Sequence, residues 1–303
     1  PGSPEELEAF ANIQLGLCNQ FELFFPDNLA SKTIVVIPSL SLDQEVLAKV
    51  KGSLHYEERL LCLLMLLRMP RANVIYVSSM PIDPVIIDYY LHLLPGITGY
   101  HAWQRLTLIS CYDASPVPLT KKILHRPRLI QRIKQAIPPG NVAHIACFNT
   151  TPLERTLSVQ LDIPIYGCDP SLVYLGTKSG SRRTFMKAGV PVPTGAENLT
   201  GYDDILHAIV ALKDMHPEIK KAVVKLNDGF SGEGNAVMQY PGELCGRELE
   251  DWLKDNLIKI LKPVSPDISV DMFLEKFILM EGIVEAYVEG KEKTSPSVQC
   301  RIN

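Results

Sequence analysis

The chain has 303 residues, 46% of them hydrophobic, and a formal net charge of −4. This length predicts about two domains, and the apolar fraction excludes a disordered chain. The slightly acidic balance lacks the basic patch of nucleic-acid-binding proteins. The apolar runs are too short to span a bilayer, and no signal-peptide pattern opens the sequence. We therefore expect neither nucleic acid nor membrane as a partner.

The seven cysteines are scattered, odd in number and never at CxxC spacing. Most lie in apolar segments, where a free cysteine behaves as a small hydrophobic residue. This usage indicates a reducing compartment, with neither a zinc site nor a disulfide framework. We expect a cytoplasmic protein.

The first half of the chain alternates apolar strands with amphipathic helices, a pattern typical of a parallel sheet covered on both faces. The predicted strands are Thr33–Pro38, Asn73–Ser78, Leu106–Cys111, Ala143–Phe148 and Ile163–Gly167. The predicted helices are Tyr56–Met69, Pro84–Leu94, Lys121–Ala136 and Thr151–Leu161. Residues 1–170 are thus predicted to form a doubly wound α/β domain.

Two of these helices carry more specific expectations. The leucines predicted to form the inward face of the helix over 56–69 are Leu60, Leu63, Leu64 and Leu67. In the helix that follows the second strand, Asp83 is predicted as the N-cap, with Pro84 as the first helical residue.

Polar residues follow the predicted strands, where open α/β sheets bind their ligands. They are Ser39, Ser41, Ser78, Ser79, Asp113, Ser115, Asn149, Thr150 and Thr151. Two interpretations stay open: these side chains line a substrate cleft, or they supply ordinary turns and helix caps. No GxGxxG follows the first strand, so an NAD-type oxidoreductase has little support.

The second half, residues 171–303, is predicted as a separate α+β domain. Its predicted helices are Thr177–Lys187, Asp203–Met215 and Gly246–Leu261. The inward face of the last is predicted as Leu249, Leu253, Leu257 and either Ile260 or Leu261. Its predicted strands are Lys221–Leu226, Ala236–Gln239, Ile283–Val288 and Ser297–Asn303. Because the final strand pattern simply stops, we expect the fold to continue beyond this chain.

The segment AVVKLNDGFSGEGNAVMQ, over 222–239, is the strongest local signal. An apolar strand carries Lys225, a loop with Gly229, Ser231, Gly232 and Gly234 follows, and a second strand returns. Such a loop can cradle phosphate with its backbone N–H groups, and a lysine beside it supplies positive charge. The strand–loop–strand order differs from a Walker loop or a Rossmann turn, both of which lead into a helix. An ordinary glycine-rich hairpin is the alternative.

Other features complete a pattern suited to ATP. Lys178 and Lys225 can converge on the phosphates, beneath the glycine flap. Glu285 can accept from the adenine amino group, and Glu292 from a ribose hydroxyl. Between them the extended residues Ala286, Tyr287 and Val288 can pair with the adenine edge through the backbone.

This ordered set resembles the ATP-grasp superfamily. The lysine before GVPVP (Gly189–Pro193), the lysine before the flap, and the VEAYVEGKE element (Val284–Glu292) carry the resemblance. It implies a pre-ATP-grasp domain followed by an ATP-grasp subdomain, incomplete at its C-terminus. It also implies a carboxylate–amine ligase that uses ATP and Mg²⁺ and acts through an acylphosphate. Its substrates would be small-molecule or peptide carboxylates and amines.

The chain also resembles the C-terminal region of IQ-motif-containing H proteins. That resemblance implies calmodulin binding by the full-length protein, outside this segment. Ile130-Gln131 begins like an IQ motif, but Pro138-Pro139-Gly140 interrupts where further basic residues are required.

The sequence departs from the family pattern at its end. Arg301 stands where a magnesium carboxylate is expected, and arginine cannot bind a cation. We therefore expect Arg301 to contact phosphate or substrate, and the metal ligands to lie beyond residue 303. Asn303 itself as a metal ligand is the alternative. A second segment, Leu274–Ile278, fits a looser form of the linker pattern, but Glu285 is preferred because of the G-x-E that follows it. A non-catalytic nucleotide-binding or scaffold domain of a larger protein remains the alternative to a ligase.

Overall fold

The computed structural model describes residues 2–24, 26–41, 52–228 and 234–290, together with Thr294 and Val298. The chain divides into two compact units, the first covering Pro1–Pro170 and the second beginning at Ser171. The predicted assignment of 1–170 and 171–303 to two functional domains stays a prediction. Among the described helices, none is long and apolar enough to span a membrane.

The first unit is built on a four-stranded parallel sheet with the strand order β3-β2-β1-β4. Its strands are β1 (Lys32–Ile37), β2 (Ala72–Ser78), β3 (Leu106–Ser110) and β4 (Val142–Cys147). The predicted parallel α/β sheet is confirmed. The predicted fifth strand over Ile163–Gly167 is wrong, because this segment contributes a single bridge between Ile145 and Ile165.

Helices cover both faces of this sheet. They are α1 (Pro4–Phe24), α2 (Ser53–Tyr56), a 3₁₀ helix (Glu57–Arg68), α3 (Pro84–His92), α4 (Gly99–Trp103), α5 (Leu119–Leu124), α6 (Pro127–Ala136) and α7 (Pro152–Leu161). Successive side chains of β1 point to opposite faces. Val35 and Ile37 therefore enter one core, with α1 and α5 to α7, whereas Ile34 and Val36 enter another, with the 3₁₀ helix, α3 and α4.

The 3₁₀ helix corrects the prediction over Tyr56–Met69. The sequence predicted an α-helix with Leu60, Leu63, Leu64 and Leu67 inward, but the structure buries Leu61, Leu64 and Leu67. A 3₁₀ helix has three residues per turn, so side chains three apart share one face. In a run that is apolar at nearly every position, hydrophobicity alone does not distinguish this period from that of an α-helix.

Proline explains two further helix boundaries. The predicted helix Lys121–Ala136 is two helices, α5 and α6, because Pro127 disfavours helical geometry in the residue before it and starts a new helix. The predicted cap of α3 is confirmed: the Asp83 carboxylate accepts from the Val85 N–H at 2.9 Å, and Pro84 is the first helical residue.

The second unit is built on an antiparallel sheet with the strand order β5-β9-β6-β7-β8. Its strands are β5 (Gly195–Leu199), β6 (Lys221–Leu226), β7 (Asn235–Gln239), β8 (Lys262–Pro263) and β9 (Gly282–Ala286). The predicted hairpin is confirmed as β6 and β7. The strand predicted over Ile283–Val288 begins one residue earlier and ends at Ala286.

The helices of this unit are α8 (Val173–Gly176), α9 (Lys178–Lys187), α10 (Tyr202–Met215), α11 (Gly246–Ile260) and α12 (Val270–Met280), after a 3₁₀ turn at Pro170–Leu172. Leu249, Leu253 and Leu257 of α11 are fully buried, which confirms the predicted inward face. They share one core with α10, α12 and one face of the sheet. The opposite face of β6 and β9 carries Lys225 and Glu285 beside two buried apolar side chains, Val223 and Ile283.

Candidate functional site

Lys225 and Glu285 lie side by side on the face of the sheet that turns away from the core. In the β6–β9 register, Lys225 stands opposite Ile283, and Glu285 stands opposite Val223. The lysine and the carboxylate are therefore diagonal neighbours across the strand pair, within reach of long side chains. The Lys225 Nζ donates to Glu285 Oε1. The structure thus joins two residues whose expected roles were on separate parts of a nucleotide.

A second cation holds the other oxygen of the same carboxylate. Arg182 of α9 donates through Nη1 to Glu285 Oε2 at 3.0 Å. Arg182 and Glu285 are each 6% exposed, and a buried carboxylate needs paired, hydrogen-bonded surroundings. Sequence analysis did not identify Arg182. The sequence feature that could have identified Arg182 is its spacing: it lies one helical turn after Lys178, on the same face of α9.

Arg182 is also fixed by two other acceptors. Its Nη1 donates to the Pro193 carbonyl at 2.8 Å, and its Nε donates to Glu197 Oε2 at 3.4 Å. One guanidinium therefore connects α9, the segment that follows it, β5 and β9. The planar five-donor fork of arginine suits this use, and a lysine could not reproduce it.

The N-terminus of α9 is attached to the end of β6. The Lys178 N–H donates to the Asn227 carbonyl at 3.2 Å, and the Ser179 N–H donates to Asn227 Oδ1 at 3.0 Å. The buried Asn227 in turn donates its own N–H to the Glu281 carbonyl at 3.0 Å. These bonds place the half-buried Lys178 beside the point where β6 leads into the flap. Thr177 caps the helix by accepting from the Gly180 N–H at 3.0 Å.

Two glycines let β9 come close to its neighbours. A Cβ atom on Gly282 would lie 2.3 Å from the Lys225 carbonyl oxygen, and one on Gly195 would lie 2.1 Å from the Val284 carbonyl oxygen. Both distances are far shorter than van der Waals contact, so neither position accepts a side chain without movement of the backbone. The position of Glu285 relative to Lys225 depends on these close approaches.

The expected adenine linker bonds part of its backbone to neighbouring segments of the protein. The Ala286 N–H donates to Thr194 at 2.8 Å, and the Tyr287 N–H donates to Lys221 at 3.2 Å. Within the described part of the chain, no acceptor faces the Val288 N–H, and Val288 is 67% exposed. The competing segment Leu274–Ile278 lies inside α12, so it offers no extended edge.

Several expected site residues lie outside the described residues: Gly229, Ser231, Gly232, Glu292, Arg301 and Asn303. Their roles stay predictions. Gly234 is described, and its carbonyl accepts from the Leu226 N–H at 2.8 Å at the base of the hairpin. The described residues contain no group of three or more His, Cys, Asp or Glu side chains that could hold a metal ion.

The polar strand ends of the first unit form a network of their own. Glu57 accepts from the Ser79 N–H and hydroxyl, each at 2.6 Å, and Lys122 Nζ donates to the Ser79 hydroxyl and to the Asp113 carbonyl, each at 2.8 Å. Burial raises the pKa of Glu57 and lowers that of Lys122. Hydrogen bonds from Ser115, and then from Arg126, hold the pKa of the Asp113 carboxyl below its usual range.

A helix cap accounts for another strand end in this unit. The Thr151 hydroxyl accepts from the Leu153 N–H at 3.2 Å, and the Glu154 carboxylate accepts from the Thr151 N–H at 2.8 Å. This is a capping box at the start of α7. The turn-and-cap interpretation therefore holds for Thr151.

Comparison with known proteins points to one family. Residues 171–245, which include Lys178 and Lys225, match the family model described as IQCH-like, ATP-grasp. The resemblance to ATP-grasp proteins is confirmed. The matched ATP-grasp segment contains α9 and the β6–β7 hairpin, whereas Glu285 lies beyond it.

Two relatives extend the comparison beyond that segment. The chain is 25% identical over 246 residues to the IQ motif-containing protein H of Danio rerio, covering 76% of this chain and 23% of that protein. It is 26% identical over 242 residues to the L-propargylglycine–L-glutamate ligase of Streptantibioticus cattleyicolor, covering 75% of this chain and 50% of that protein. The alignments thus span at most half the length of these relatives, and both relatives are consistent with an ATP-grasp module of the peptide-ligase kind.

Proposed function

We propose that this chain carries the ATP-binding module of an ATP-dependent carboxylate–amine ligase. The observation that supports it is the placement of Lys225 and Glu285 as neighbours on the face of the antiparallel sheet that turns away from the core, where β6 leads into the glycine loop. An adenine nucleotide offers a phosphate chain that a cation can bind and an amino group that a carboxylate can accept from. The match of residues 171–245 to an ATP-grasp family adds independent support.

The proposal gives each predicted donor and acceptor one part of the nucleotide to bind. Lys178 and Lys225 would bind the phosphates, Glu285 would accept from the adenine amino group, and the Val288 N–H would donate to a ring nitrogen. Glu292 would accept from the ribose, and the loop with Gly229, Ser231, Gly232 and Gly234 would cover the phosphates.

In the proposed reaction, a substrate carboxylate oxygen attacks the γ-phosphorus of ATP, the bond to the bridging oxygen breaks, and ADP leaves. An amine then attacks the acylphosphate carbonyl, phosphate leaves, and the amine loses a proton. The name of the Streptantibioticus relative, a ligase of two amino acids, supports amino acids or peptides as substrates. Bound Mg²⁺ would neutralise phosphate charge. Since the described residues contain no ligand set for it, none is assigned. Arg301 is proposed to contact phosphate or substrate.

A second function is supported by the other relative. Similarity to the IQ motif-containing protein H favours a non-catalytic nucleotide-binding or regulatory domain of a larger protein. In that case nucleotide binding would persist without ligation. Calmodulin would be a partner of the full-length protein, through residues outside this chain.

Isothermal titration with ATP and Mg²⁺ tests nucleotide binding, which both proposed functions require. We expect binding in roughly the micromolar range, weakened about tenfold or more in Lys225→Ala by loss of a charge-assisted hydrogen bond. Lys259→Ala, at an exposed lysine on α11, should bind as the wild type does. Absence of binding by the wild-type chain would contradict the proposal. ADP and phosphate release with amino-acid mixtures then separates a ligase from a regulatory domain.

A further inference from the structure

Two cations, Arg182 and Lys225, bind the carboxylate of Glu285. They differ in the number of acceptors that they contact and in their exposure to solvent. Arg182 donates to three acceptors, namely Glu285, Glu197 and the Pro193 carbonyl, and its side chain is 7% exposed. The Lys225 ammonium has Glu285 as its acceptor, and its side chain is 26% exposed. Arg182 is therefore anchored by three acceptors, whereas Lys225 is bound by one acceptor among the residues that the structure describes, and its side chain reaches solvent.

This difference matters because, in the proposed function, Lys225 binds two anions in turn: the Glu285 carboxylate and a phosphate of the nucleotide. If its ammonium turns toward a phosphate, Glu285 loses one counter-ion while remaining buried. An unpaired buried carboxylate is strongly unfavourable. Arg182 removes that difficulty, since it continues to neutralise Glu285 through Oε2.

We infer that Arg182 is a positioning residue of the nucleotide site: it is the permanent counter-ion of Glu285 and thereby makes Lys225 exchangeable. This inference rests on the proposed nucleotide-binding function and deepens it. When Lys225 moves to the phosphates, Oε1 of Glu285 is released as an acceptor, in a position fixed by the bond of Oε2 to Arg182. A carboxylate in this arrangement selects a base with an amino group at that position, as in adenine, over one with a carbonyl, as in hypoxanthine.

Inorganic tripolyphosphate and two nucleotides separate these effects. Tripolyphosphate reports the release of Lys225 without any base, and the ratio of ATP to inosine triphosphate affinities reports the placement of Glu285. In Arg182→Gln, Lys225 becomes the sole counter-ion of Glu285. We expect tripolyphosphate binding to weaken about tenfold and the ATP preference to fall toward one.

The double variant Arg182→Gln/Glu285→Gln distinguishes the counter-ion role of Arg182 from a general structural role. With no carboxylate to hold Lys225, tripolyphosphate affinity should recover to within about threefold of the wild type, because the lysine–phosphate contact is intact. The ATP preference should stay lost, since the positioned acceptor is absent. A merely structural role for Arg182 would not produce this recovery. Arg183→Gln, the exposed neighbour on α9, is the matched control and should leave all three affinities unchanged.

A measurement on the wild-type chain covers the case in which Arg182→Gln does not fold. In nitrogen-15 spectra, addition of ATP with Mg²⁺ should shift the Lys225 Nζ signal and leave the Arg182 Nε–H protected from exchange. An unmoved Lys225 signal, a lost Arg182 signal, or wild-type tripolyphosphate affinity in Arg182→Gln would overturn the inference while ATP binding stands. If the wild-type chain binds no ATP at all, the proposed function fails, and the inference fails with it.

Discussion

The two units of this chain each bury a carboxylate near a lysine, but the lysine contacts that carboxylate differently in each unit. In the first unit, Glu57 and Lys122 are 8% and 2% exposed and meet through the hydroxyl of Ser79. In the second unit, Glu285 contacts Lys225 directly, and a quarter of that lysine side chain is exposed. The first network is closed on all sides by protein, whereas the second has one cation that reaches solvent.

This difference shows that a buried charge cluster in a fold is not by itself a binding site. Lys122 donates to Ser79 and to the Asp113 carbonyl, so turning it toward a ligand would break two hydrogen bonds, of which the one to Ser79 is buried. Lys225 would break one contact, and Arg182 would remain to neutralise the carboxylate. We therefore propose a role in stability for the first cluster and a role in nucleotide binding for the second.

The largest expected effect is on stability, and it appears when the lysine of each cluster is replaced by methionine and the two losses are compared. Lys122→Met leaves Glu57 buried without a nearby cation, and we expect the free energy of unfolding to fall by about 3 kcal/mol or more. Lys225→Met leaves Glu285 paired with Arg182, and we expect a loss below about 1 kcal/mol, because a partly exposed ion pair contributes little. Denaturant titration of the whole chain measures both changes.

Hydrogen exchange assigns each change to its unit. Protection should fall in β2 and β3 for Lys122→Met and stay unchanged there for Lys225→Met. Glu58→Gln is the control: Glu58 adjoins Glu57 but pairs with the exposed His55, so this variant should stay within about 0.5 kcal/mol of the wild type. Equal losses from the two methionine variants would contradict the contrast between a closed and an open cluster.

Low pH should destabilise the first unit, because this unit also buries a histidine. His144 on β4 lies edge-on to Tyr166 with ring centroids 5.8 Å apart. Burial, and secondarily the charge of Lys32, lowers the pKa of His144 from 6.5 to about 4. Between these values the unfolded chain binds more protons than the folded one. The stability from His144 is therefore complete above pH 6.5 and is lost as the pH falls toward 4, by up to about 3 kcal/mol.

Comparison with His144→Phe isolates this contribution from other titrating groups, such as Glu57. Phenylalanine keeps an aromatic ring against Tyr166 but takes no proton. The difference in unfolding free energy between the variant and the wild type should shift in favour of the variant as the pH falls from 7 to 4.5. A difference that is constant over this range would show that His144 titrates normally.

Much of the fold could be predicted because its signals are local. The uniformly apolar strands predicted the parallel sheet, Asp83-Pro84 predicted the start of α3, and the lysine and glycines over 222–239 predicted the β6–β7 hairpin. The 3₁₀ helix Glu57–Arg68 could not be predicted in this way, because the leucine-rich run fits more than one helical period.

The site was only partly predictable because its contacts are not local. Lys225 and Glu285 were identified from motifs, but their pairing requires β9 to lie between β5 and β6, which no local pattern specifies. Arg182 was missed for the same reason. Its basic neighbours suggested a solvated helix face, whereas its burial follows from acceptors on Pro193, Glu197 and Glu285.

The smallest expected effect concerns the backbone that starts β9. Glu281 has φ 59° and ψ −175°, a region that essentially only glycine occupies without strain, and its carbonyl must accept from Asn227 at the base of the site. Glu281→Gly should relieve the strain. After the entropy that glycine loses on folding is subtracted, we expect a gain of about 1 kcal/mol in the free energy of unfolding. Glu281→Ala removes the same charge but keeps the strain, so it should give no gain. If alanine stabilised the chain as much as glycine does, the effect would come from the exposed carboxylate, and the second cluster would rest on an unstrained backbone.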